Sequence, residues 1–390
     1  MPMVETGSNC DVLIAGGGPV GAALALALRA SALRISVLEA RASRQAAGDD
    51  PRPLALSHGS RLVLERLGVW KALEPVTAIA RIHISQRGGF GRVELDAAEA
   101  RLPALGYVVD YTRLAGLFAE LVQGGWCDYL PGAAVTRLSA EAGAVAVEVR
   151  TERGERRITT SLLVVADGGT HAGSDEMRTV DYQQAAVTAR VTSTAEHANV
   201  AYERFTPDGP LALLPSGDRL ALVWSTTQEH AQQLCASPEA AFLAALQQAF
   251  GGRLGRFIAA ERRGMYPLAL RIARETTTAR VARIGNAAQT LHPVAGQGLN
   301  LGLRDAWELA AELRRAPREN IGAPEFLARY ATRRRVDRTG GIWFTHNLVR
   351  TFSSDLIPLR FARGLGLTAL ALLPPARDLL VRRMTFGARG

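Results

Sequence analysis

The sequence predicts an α/β protein in which a parallel-sheet unit is interleaved with a β-rich domain and followed by a helical C-terminal region. Three observations support this prediction. A short apolar strand at residues 11–15 runs into a glycine-rich turn and an Ala- and Leu-rich helical segment. Strand-like segments with Asp-Gly and Gly-Asp turn pairs dominate residues 133 to 224. The chain after residue 320 is Arg-rich and mostly helical in pattern.

The composition indicates a globular chain and argues against several kinds of site. The 390 residues include 46 Lys and Arg against 37 Asp and Glu, a net charge of +9. No basic run is interleaved with aromatic residues, so no nucleic-acid partner is expected. Cys10, Cys127 and Cys235 lack CxxC spacing, so neither a metal site nor a disulfide framework is expected. The first residues lack a signal-peptide pattern, and the expected location is cytoplasmic.

The glycine-rich turn has the spacing of a dinucleotide-binding fingerprint. Gly16, Gly18 and Gly21 follow the strand, and Glu39 ends the next apolar run. Gly16 permits the tight turn, Gly18 lets the backbone approach a pyrophosphate, and Gly21 lets helix and strand pack closely. The N–H groups at the helix start bind phosphate, and Glu39 can accept both hydroxyls of an adenosine ribose. The turn alone does not separate FAD from NAD, although the acidic Glu39 disfavours a 2′-phosphate.

Two further segments repeat the order of strand, glycine and helix. Asp167 and Gly168 follow the apolar run at 162–166. A strand at 281–284 leads into a glycine-rich segment whose candidate ligand-binding residues are Asn286, Gly296, Gln297, Gly298, Leu299 and Asn300. The glycines would let backbone approach a planar ligand, and the N–H groups of the following helix would face it. Such a helix end stabilises negative charge on the N1 and C2=O edge of a reduced flavin.

These three motifs, in this order across most of the chain, resemble those of the class A flavin-dependent aromatic hydroxylases. Residues 285–302, GNAAQTLHPVAGQGLNLG, are similar to the third fingerprint of that family. The chain departs from the family pattern with Asn286 in place of Asp, Gln289 in place of a frequent His, and an altered spacing after Gly168.

The variant third fingerprint resembles the ubiquinone-biosynthesis branch of the family, such as the 2-octaprenyl-6-methoxyphenol hydroxylases. Residues 202–215 and 330–338 support this closer resemblance. It implies a fold like that of para-hydroxybenzoate hydroxylase, with a Rossmann-like FAD-binding domain interleaved with a β-sheet substrate domain. The expected domains are residues 1–75, 100–178 and 265–320 for FAD, 76–99 and 179–264 for substrate, and 321–390 for the helical C-terminus. Within the first, residues 54–67 are predicted to form a helix that begins near Ser57.

The resemblance also implies a monooxygenase cycle at a bound FAD. NADPH or NADH would bind transiently and reduce the flavin, and O2 would then give a C4a-hydroperoxide that hydroxylates the aromatic ring of a polyprenyl phenol. Arg52 and Arg113 match family positions that place arginines against FAD, and Pro293 would lie against the flavin face. His292 is the nearest ionisable candidate for a catalytic role. Neither a GxSxG nor an HExxH motif occurs, and this chemistry needs no protein nucleophile.

Two alternatives remain open at this point. The first is a hydroxylase of a small soluble aromatic compound, or of another position on the quinone ring. The second is an FAD-binding protein without hydroxylase activity, as a member of a biosynthetic complex. A plain NAD dehydrogenase is disfavoured, because one dinucleotide site does not need a second glycine-rich helix start.

A polyprenyl substrate resides in the membrane, so the C-terminal region is a candidate for peripheral contact with the inner membrane. Apolar residues 365–373 would touch the lipid. The arginines expected to bind anionic lipid are Arg333, Arg334, Arg335, Arg338, Arg350, Arg360, Arg363, Arg377, Arg382 and Arg383. A complex with other proteins of ubiquinone biosynthesis is also expected from the resemblance.

Overall fold

The computed structural model describes residues 5–6, 10–42, 53–169, 177–352 and 357–388. The strands in these ranges are β1 (Glu5–Thr6), β2 (Cys10–Ala15), β3 (Ile35–Glu39), β4 (Pro53–Ser57), β5 (Thr77–Ile79), β6 (Arg81–Gln86), β7 (Arg92–Asp96), β8 (Gly106–Asp110), β9 (Asp128–Pro131), β10 (Ala134–Glu141), β11 (Ala144–Thr151), β12 (Gly154–Val165), β13 (Met177–Ser193), β14 (Val200–Thr206), β15 (Gly209–Ser216), β16 (Arg219–Thr227), β17 (Phe257–Ala273), β18 (Thr277–Thr278), β19 (Val281–Arg283) and β20 (Gln289–Thr290). The α-helices are α1 (Pro19–Leu28), α2 (His58–Arg66), α3 (Trp70–Leu73), α4 (Tyr111–Val122), α5 (Gln228–Ala236), α6 (Glu239–Phe250), α7 (Gln297–Arg315), α8 (Pro324–Phe352), α9 (Ile357–Leu372) and α10 (Pro374–Phe386).

A nine-stranded sheet holds the dinucleotide fingerprint. Its main order is β10-β11-β12-β2-β3-β9, with β1 and β19 also on β12 and β18 on β19. The strands β9, β3, β2, β12 and β19 pair in parallel, whereas β10, β11 and the first half of β12 pair antiparallel. Parallel strands buried on both faces need near-continuous apolar sequences. β2 meets this requirement, because all six of its residues are buried.

Helices α1 and α7 pack against this sheet and against each other. Leu24 and Leu28 of α1 share one core with Leu309 and Leu313 of α7. Ala and Leu fill almost all of α1, so the helix can be buried on nearly every side. This packing places the start of both helices at the same edge of the sheet.

An eight-stranded sheet makes the second half of the molecule. Its order is β20-β17-β13-β16-β15-β14-β6-β7, and a small third sheet has the order β4-β8-β5. Helices α5 and α6 cover one face of the large sheet, where Trp224 and Phe242 share a core. The opposite face is turned toward the nucleotide-binding half. β13 and β17 are each 17 residues long and extend beyond the predicted domain boundaries at 179 and 264.

The C-terminal region is helical, as predicted. α9 contacts β7, and α10 contacts both α9 and α2. Within the described residues no single helix has the length and hydropathy of a membrane span. The segments Phe361–Leu372 and Pro374–Phe386 have that length and hydropathy only when they are taken together, and the two are bent by 96° relative to each other. The predicted α/β fold class is confirmed. The helix predicted to begin near Ser57 is α2, with Ser57 as its N-cap. Residues 54–57 of the predicted helical segment belong instead to β4, because they pair with β8.

Candidate active site

One large cavity lies between the two halves of the molecule. Its volume is about 1400 Å³, above the range of roughly 300–1,000 Å³ that is usual for a ligand pocket. The turn after β2, the end of β3, the 293–299 segment, the free face of the eight-stranded sheet and helices α8 to α10 all line it. The space is therefore large enough for a dinucleotide and a second molecule.

The three fingerprint glycines differ in what surrounds them. A Cβ at Gly16 would lie 2.4 Å from the carbonyl oxygen of Ala166, and one at Gly21 would lie 2.0 Å from that of Gly16. A Cβ at Gly18 would meet nothing within 4 Å. Gly16 and Gly21 therefore allow close packing within the protein, while Gly18 leaves space at the cavity. No side chain caps the start of α1, so its first N–H groups can bind an anion.

Glu39 lies at the end of β3 beside this turn. Its Oε2 accepts a hydrogen bond from the N–H of Gly17 at 3.0 Å, and its Oε1 accepts one from the Nε of Arg41 at 3.0 Å. The carboxylate is thus fixed at the edge of the cavity, where a ribose would lie if a pyrophosphate occupied the turn.

The middle motif faces the same cavity. Asp167 and Gly168 line it, and the Oδ1 of Asp167 accepts a hydrogen bond from the N–H of Gly169 at 2.8 Å. Gly168 has φ +80°, a backbone conformation that favours glycine. Arg271, which the sequence analysis missed, also lines the cavity and donates to the carbonyl of Gly169 at 3.0 Å.

The start of α7 forms the next part of the wall. α7 begins after Gly296, which has φ +60°, and no side chain caps it. A Cβ at Gly298 would meet nothing within 4 Å. Asn286, Pro293, Gln297 and Leu299 line the cavity beside it. The open space at Gly18 and Gly298, together with two uncapped helix starts, fits an FAD with its phosphates at α1 and its ring at α7.

Asn300 lines the cavity, and its side-chain amide is bonded within the protein. Its Oδ1 accepts from the N–H of Ser57 at 2.8 Å and from the Oγ of Ser60 at 2.6 Å. Its Nδ2 donates to the carbonyls of Ala55 at 2.9 Å and Gly296 at 2.7 Å. All four hydrogen-bonding positions of the amide are therefore used within the protein. Asn300 therefore holds α7 and β4 together at the wall of the cavity.

A buried ionic cluster behind the third motif was also missed by the sequence analysis. Asp305 accepts hydrogen bonds from the N–H of Gly285 at 3.1 Å, the Nε2 of Gln289 at 3.0 Å and the Nε of Arg334 at 2.7 Å. Arg338 donates from its Nε to the Oε1 of Gln289 at 3.0 Å. The cluster thus fixes the Gly285–Gln289 segment against α7 and α8, so both Arg334 and Arg338 are used inside the protein.

His292 is buried behind the cavity wall and does not line it. Its Nδ1 accepts a hydrogen bond from the N–H of Val294 at 3.1 Å, so the proton of the neutral ring lies on Nε2. That Nε2 is buried without a partner among the described residues. Burial lowers the pKa of His292 to about 4. The residue is therefore neutral at ordinary pH and supports the segment that presents Pro293 to the cavity.

Of the two arginines expected against FAD, the structure describes only Arg113. Arg113 lies outside the cavity lining, and its guanidinium donates to the carbonyl of Ala72 at 3.1 Å and to that of Glu74. These bonds tie α4 to α3 and to the residue that follows it. Arg52 lies outside the described residues.

The free face of the eight-stranded sheet forms the opposite wall. Phe205 lies on this face, whereas Leu213 and Trp224 point to the other side and pack against α5 and α6. The wall is mostly apolar. It also carries Glu203, a residue that the sequence analysis did not identify.

The chain belongs to the FAD-binding-domain family, whose model matches residues 9–338. The relatives it is similar to include a ubiquinone hydroxylase of Rhodospirillum rubrum, 34% identical over 95% of this chain and 88% of the relative. A 3-demethoxyubiquinol 3-hydroxylase of Escherichia coli is 32% identical over 93% of this chain and 95% of the relative. The fold is similar to that of a p-nitrophenol 4-monooxygenase of Pseudomonas putida, with a TM-score of 0.77 and 17% identity over 98% of this chain and 100% of that one. The predicted family resemblance is confirmed.

Proposed function

We propose that this chain is an FAD-dependent monooxygenase that hydroxylates the aromatic ring of a polyprenyl phenol in ubiquinone biosynthesis, with NAD(P)H and O2 as co-substrates. The observation that carries this proposal is the single cavity shared by a dinucleotide-binding turn and an apolar sheet wall. The names of the two hydroxylase relatives support the quinone precursor as substrate.

The residues present divide the work in this proposal. Bound FAD would accept a hydride from the nicotinamide and, once reduced, would react with oxygen. The turn at Gly18 and the carboxylate of Glu39 would bind its adenosine diphosphate part, and the start of α7 would face its ring. The apolar sheet wall would hold the substrate ring and exclude water. Neutral His292 would keep Pro293 in place without adding charge near the flavin.

The experiment that tests this function starts with the visible absorbance spectrum of the purified protein and identification of the released cofactor. We expect about one FAD per chain, and NADPH or NADH oxidation that is stimulated by a prenylphenol and yields a hydroxylated product. Stimulation by small phenols alone would favour the soluble-aromatic alternative. Bound FAD with no stimulation by any phenol would favour the non-catalytic alternative. A protein that takes up no FAD would refute the proposal.

We also propose peripheral contact with a membrane through the bend between α9 and α10. Large apolar side chains are exposed around it, namely Phe361, Leu365, Leu372, Leu373 and Leu379. Leu367, Leu370 and Leu380 of the same helices line the cavity, so the apolar surface continues into the site. A substrate with a lipid tail could thus reach the sheet wall from the bilayer.

The structure narrows the arginines that could bind anionic lipid. Arg333 pairs with Glu308 and Glu312, and Arg377 with Glu99. Arg334, Arg338 and Arg363 are buried or bonded inside the protein, and the side chain of Arg360 is outside the described residues. The exposed members of the predicted set are Arg335, Arg350, Arg382 and Arg383. The membrane contact therefore depends more on apolar side chains than the sequence indicated.

Vesicle flotation tests this contact. We expect the protein to bind phosphatidylglycerol vesicles, and Leu365→Ser with Leu372→Ser to weaken binding about tenfold. Ile258→Ser is the matched control, because Ile258 is equally exposed but lies on β17. Equal binding by all three proteins would refute the contact.

A further inference from the structure

A row of side chains crosses the sheet wall of the cavity. The pairing registers place Ile84, Glu203, Ala212, Val223 and Thr188 side by side on five neighbouring strands. All five line the cavity. Among the described residues of the eight-stranded sheet that do so, Glu203 is the one carboxylate. Its neighbours in the row are Ile84 and Ala212, neither of which has a polar side-chain atom.

The carboxyl group of Glu203 has no partner within the described part of the chain. Its Oε1 is buried without a hydrogen bond. The ionisable residues beside it along the two strands, Arg204 on β14 and His83 on β6, are at positions that face the opposite side. The other charged residues that line the cavity are Glu39, Arg41, Asp167, Arg271 and Arg363, and none of them bonds to it. A buried polar group without a partner is costly, so this carboxyl group, at the wall of an open cavity, is suited to bind a ligand that donates a hydrogen bond.

Glu203 lies close to the flavin end of the cavity. Phe205, two residues along β14, packs in one cluster with Val294, which follows Pro293. Residues two apart on a strand share a face and are separated by roughly 7 Å. That separation is about the length of one phenol ring with its hydroxyl. A ring held beside the Pro293 segment would therefore direct a substituent to Glu203.

We propose that Glu203 positions the substrate by accepting a hydrogen bond from its phenolic hydroxyl. This inference rests on the proposed function and names the group that orients the ring. The phenol end is held at β14, while the lipid tail extends along the apolar surface toward α9 and α10. A hydrogen bond to a carboxylate also increases the electron density of the ring, which favours its hydroxylation. Phenols are therefore selected over their ethers.

The ionisation of Glu203 sets a pH range for this role. Burial raises the pKa of Glu203 to about 7. The ionised form is the stronger acceptor, so kcat/KM for a phenol increases as pH rises through about 7. A phenol itself ionises near 10, as Tyr does, so this rise reports on the protein.

The test compares 2-geranylphenol with its methyl ether, which lacks the donor. Holoprotein is titrated with each in the absence of a reductant, and binding is followed by the change in the flavin spectrum. Turnover is then measured from pH 5.5 to 8.5. The variants are Glu203→Gln and Glu203→Leu, with Glu94→Gln as the matched control, since Glu94 is an exposed glutamate of the same sheet, paired with Arg81. FAD content and melting temperature show that each variant is folded.

We expect the wild-type protein and Glu94→Gln to prefer the phenol over the ether by about 100-fold in kcat/KM. Glu203→Leu should reduce this preference to within about fivefold and weaken phenol binding about tenfold. Glu203→Gln should lose the rise in kcat/KM with pH. Folded variants that keep both the preference and the pH profile would overturn the inference.

The two proposals fail in different ways. A wild-type protein that binds the phenol through Glu203 but never hydroxylates it would refute the proposed function and support the positioning role. A wild-type protein that hydroxylates phenols and ethers equally well would support a monooxygenase and overturn the role of Glu203.

Discussion

The two walls of the cavity are built in different ways. The nucleotide wall is shaped mainly by backbone. Gly16 and Gly21 allow backbone segments to pack closely, and Gly18 and Gly298 leave space at the cavity. The sheet wall is formed mainly by side chains, which are apolar around Glu203. The first wall tolerates almost no change in shape, whereas the second tolerates changes of shape and is sensitive to changes of chemistry.

The largest effects are expected on the nucleotide wall, where two glycines of the same turn, Gly18 and Gly21, should behave differently. Gly21→Ala would place a Cβ 2.0 Å from the Gly16 carbonyl oxygen, so we expect the apoprotein to lose about 3 kcal/mol or more in free energy of unfolding. Gly18→Ala meets nothing within 4 Å, so the apoprotein should change by less than about 1 kcal/mol.

The second variant should instead weaken FAD binding at least about tenfold, because its methyl group occupies space where the pyrophosphate approaches. Urea unfolding of the apoprotein and titration with FAD separate the two effects. Equal loss of stability in both variants would contradict the division between packing glycines and ligand glycines.

The next effect concerns Asn300, whose amide holds the nucleotide wall together. Asn300→Ala removes four hydrogen bonds and leaves buried groups of Ser57 and Ala55 unpaired. We expect a loss of about 3 kcal/mol in free energy of unfolding. Asn347→Ala is the control, since that amide makes one hydrogen bond, to Trp343, at the surface, and should cost less than about 1 kcal/mol. Weaker FAD binding with unchanged apoprotein stability would instead indicate direct contact with the cofactor.

The same contrast explains what the sequence could predict. The close packing at Gly16 and Gly21 and the open space at Gly18 could be predicted, because a close approach of backbone segments leaves a fixed glycine spacing in the chain. Asn300 was predicted to bind the cofactor because it stands beside the glycines in the sequence. The hydrogen bonds from Ser57 and Ser60 to its Oδ1 could not be predicted, because those residues are about 240 positions away in sequence. Only the packing of β4 on α7 reveals them. The helix start near Ser57 could be predicted, but the strand formed by residues 54–57 just before it could not, because their pairing with β8 is a long-range contact.

The sheet wall was the part that sequence could not resolve. Phe205, Leu213 and Trp224 look alike in an alternating pattern, yet only Phe205 lines the cavity. Which face of a strand is buried depends on register with its neighbours, and a shift of one residue reverses it. Glu203 therefore looked like an ordinary polar position in a strand. Asp305 was hidden similarly, because its partners on α8 come together only in the folded chain.

Behind the nucleotide wall, buried His292 should make the free energy of unfolding depend on pH in the acid range. Burial lowers its pKa to about 4 from 6.5, so the unfolded chain binds a proton before the folded protein does. Its contribution to stability is present above pH 6.5 and is lost as the pH falls from 6.5 to about 4, by up to about 3 kcal/mol. His292→Asn should flatten this part of the stability profile of the apoprotein. The same exchange at His197, on the loop before β14, is the control, and an unchanged acid slope in His292→Asn would contradict the assignment.

Glu203 should show the opposite pH dependence on the other wall. Its pKa is raised by burial from 4.5 to about 7, so the folded protein holds a proton that the unfolded chain releases. Stability is therefore lost as the pH rises from 4.5 to about 7, by roughly 1–2 kcal/mol once contact with water in the cavity is considered. Glu203→Gln should remove this loss and be more stable than the wild type at pH 8, whereas Glu94→Gln should not. If Glu203→Gln is more stable than the wild type at pH 8 and also loses the preference for the phenol, then Glu203 serves binding at a cost to stability. The residues that pack the nucleotide wall should show no such trade-off. If Glu203→Gln were less stable than the wild type at pH 8, the carboxylate would have a stabilising partner. Glu203 would then contribute to stability, as the packing residues of the nucleotide wall do.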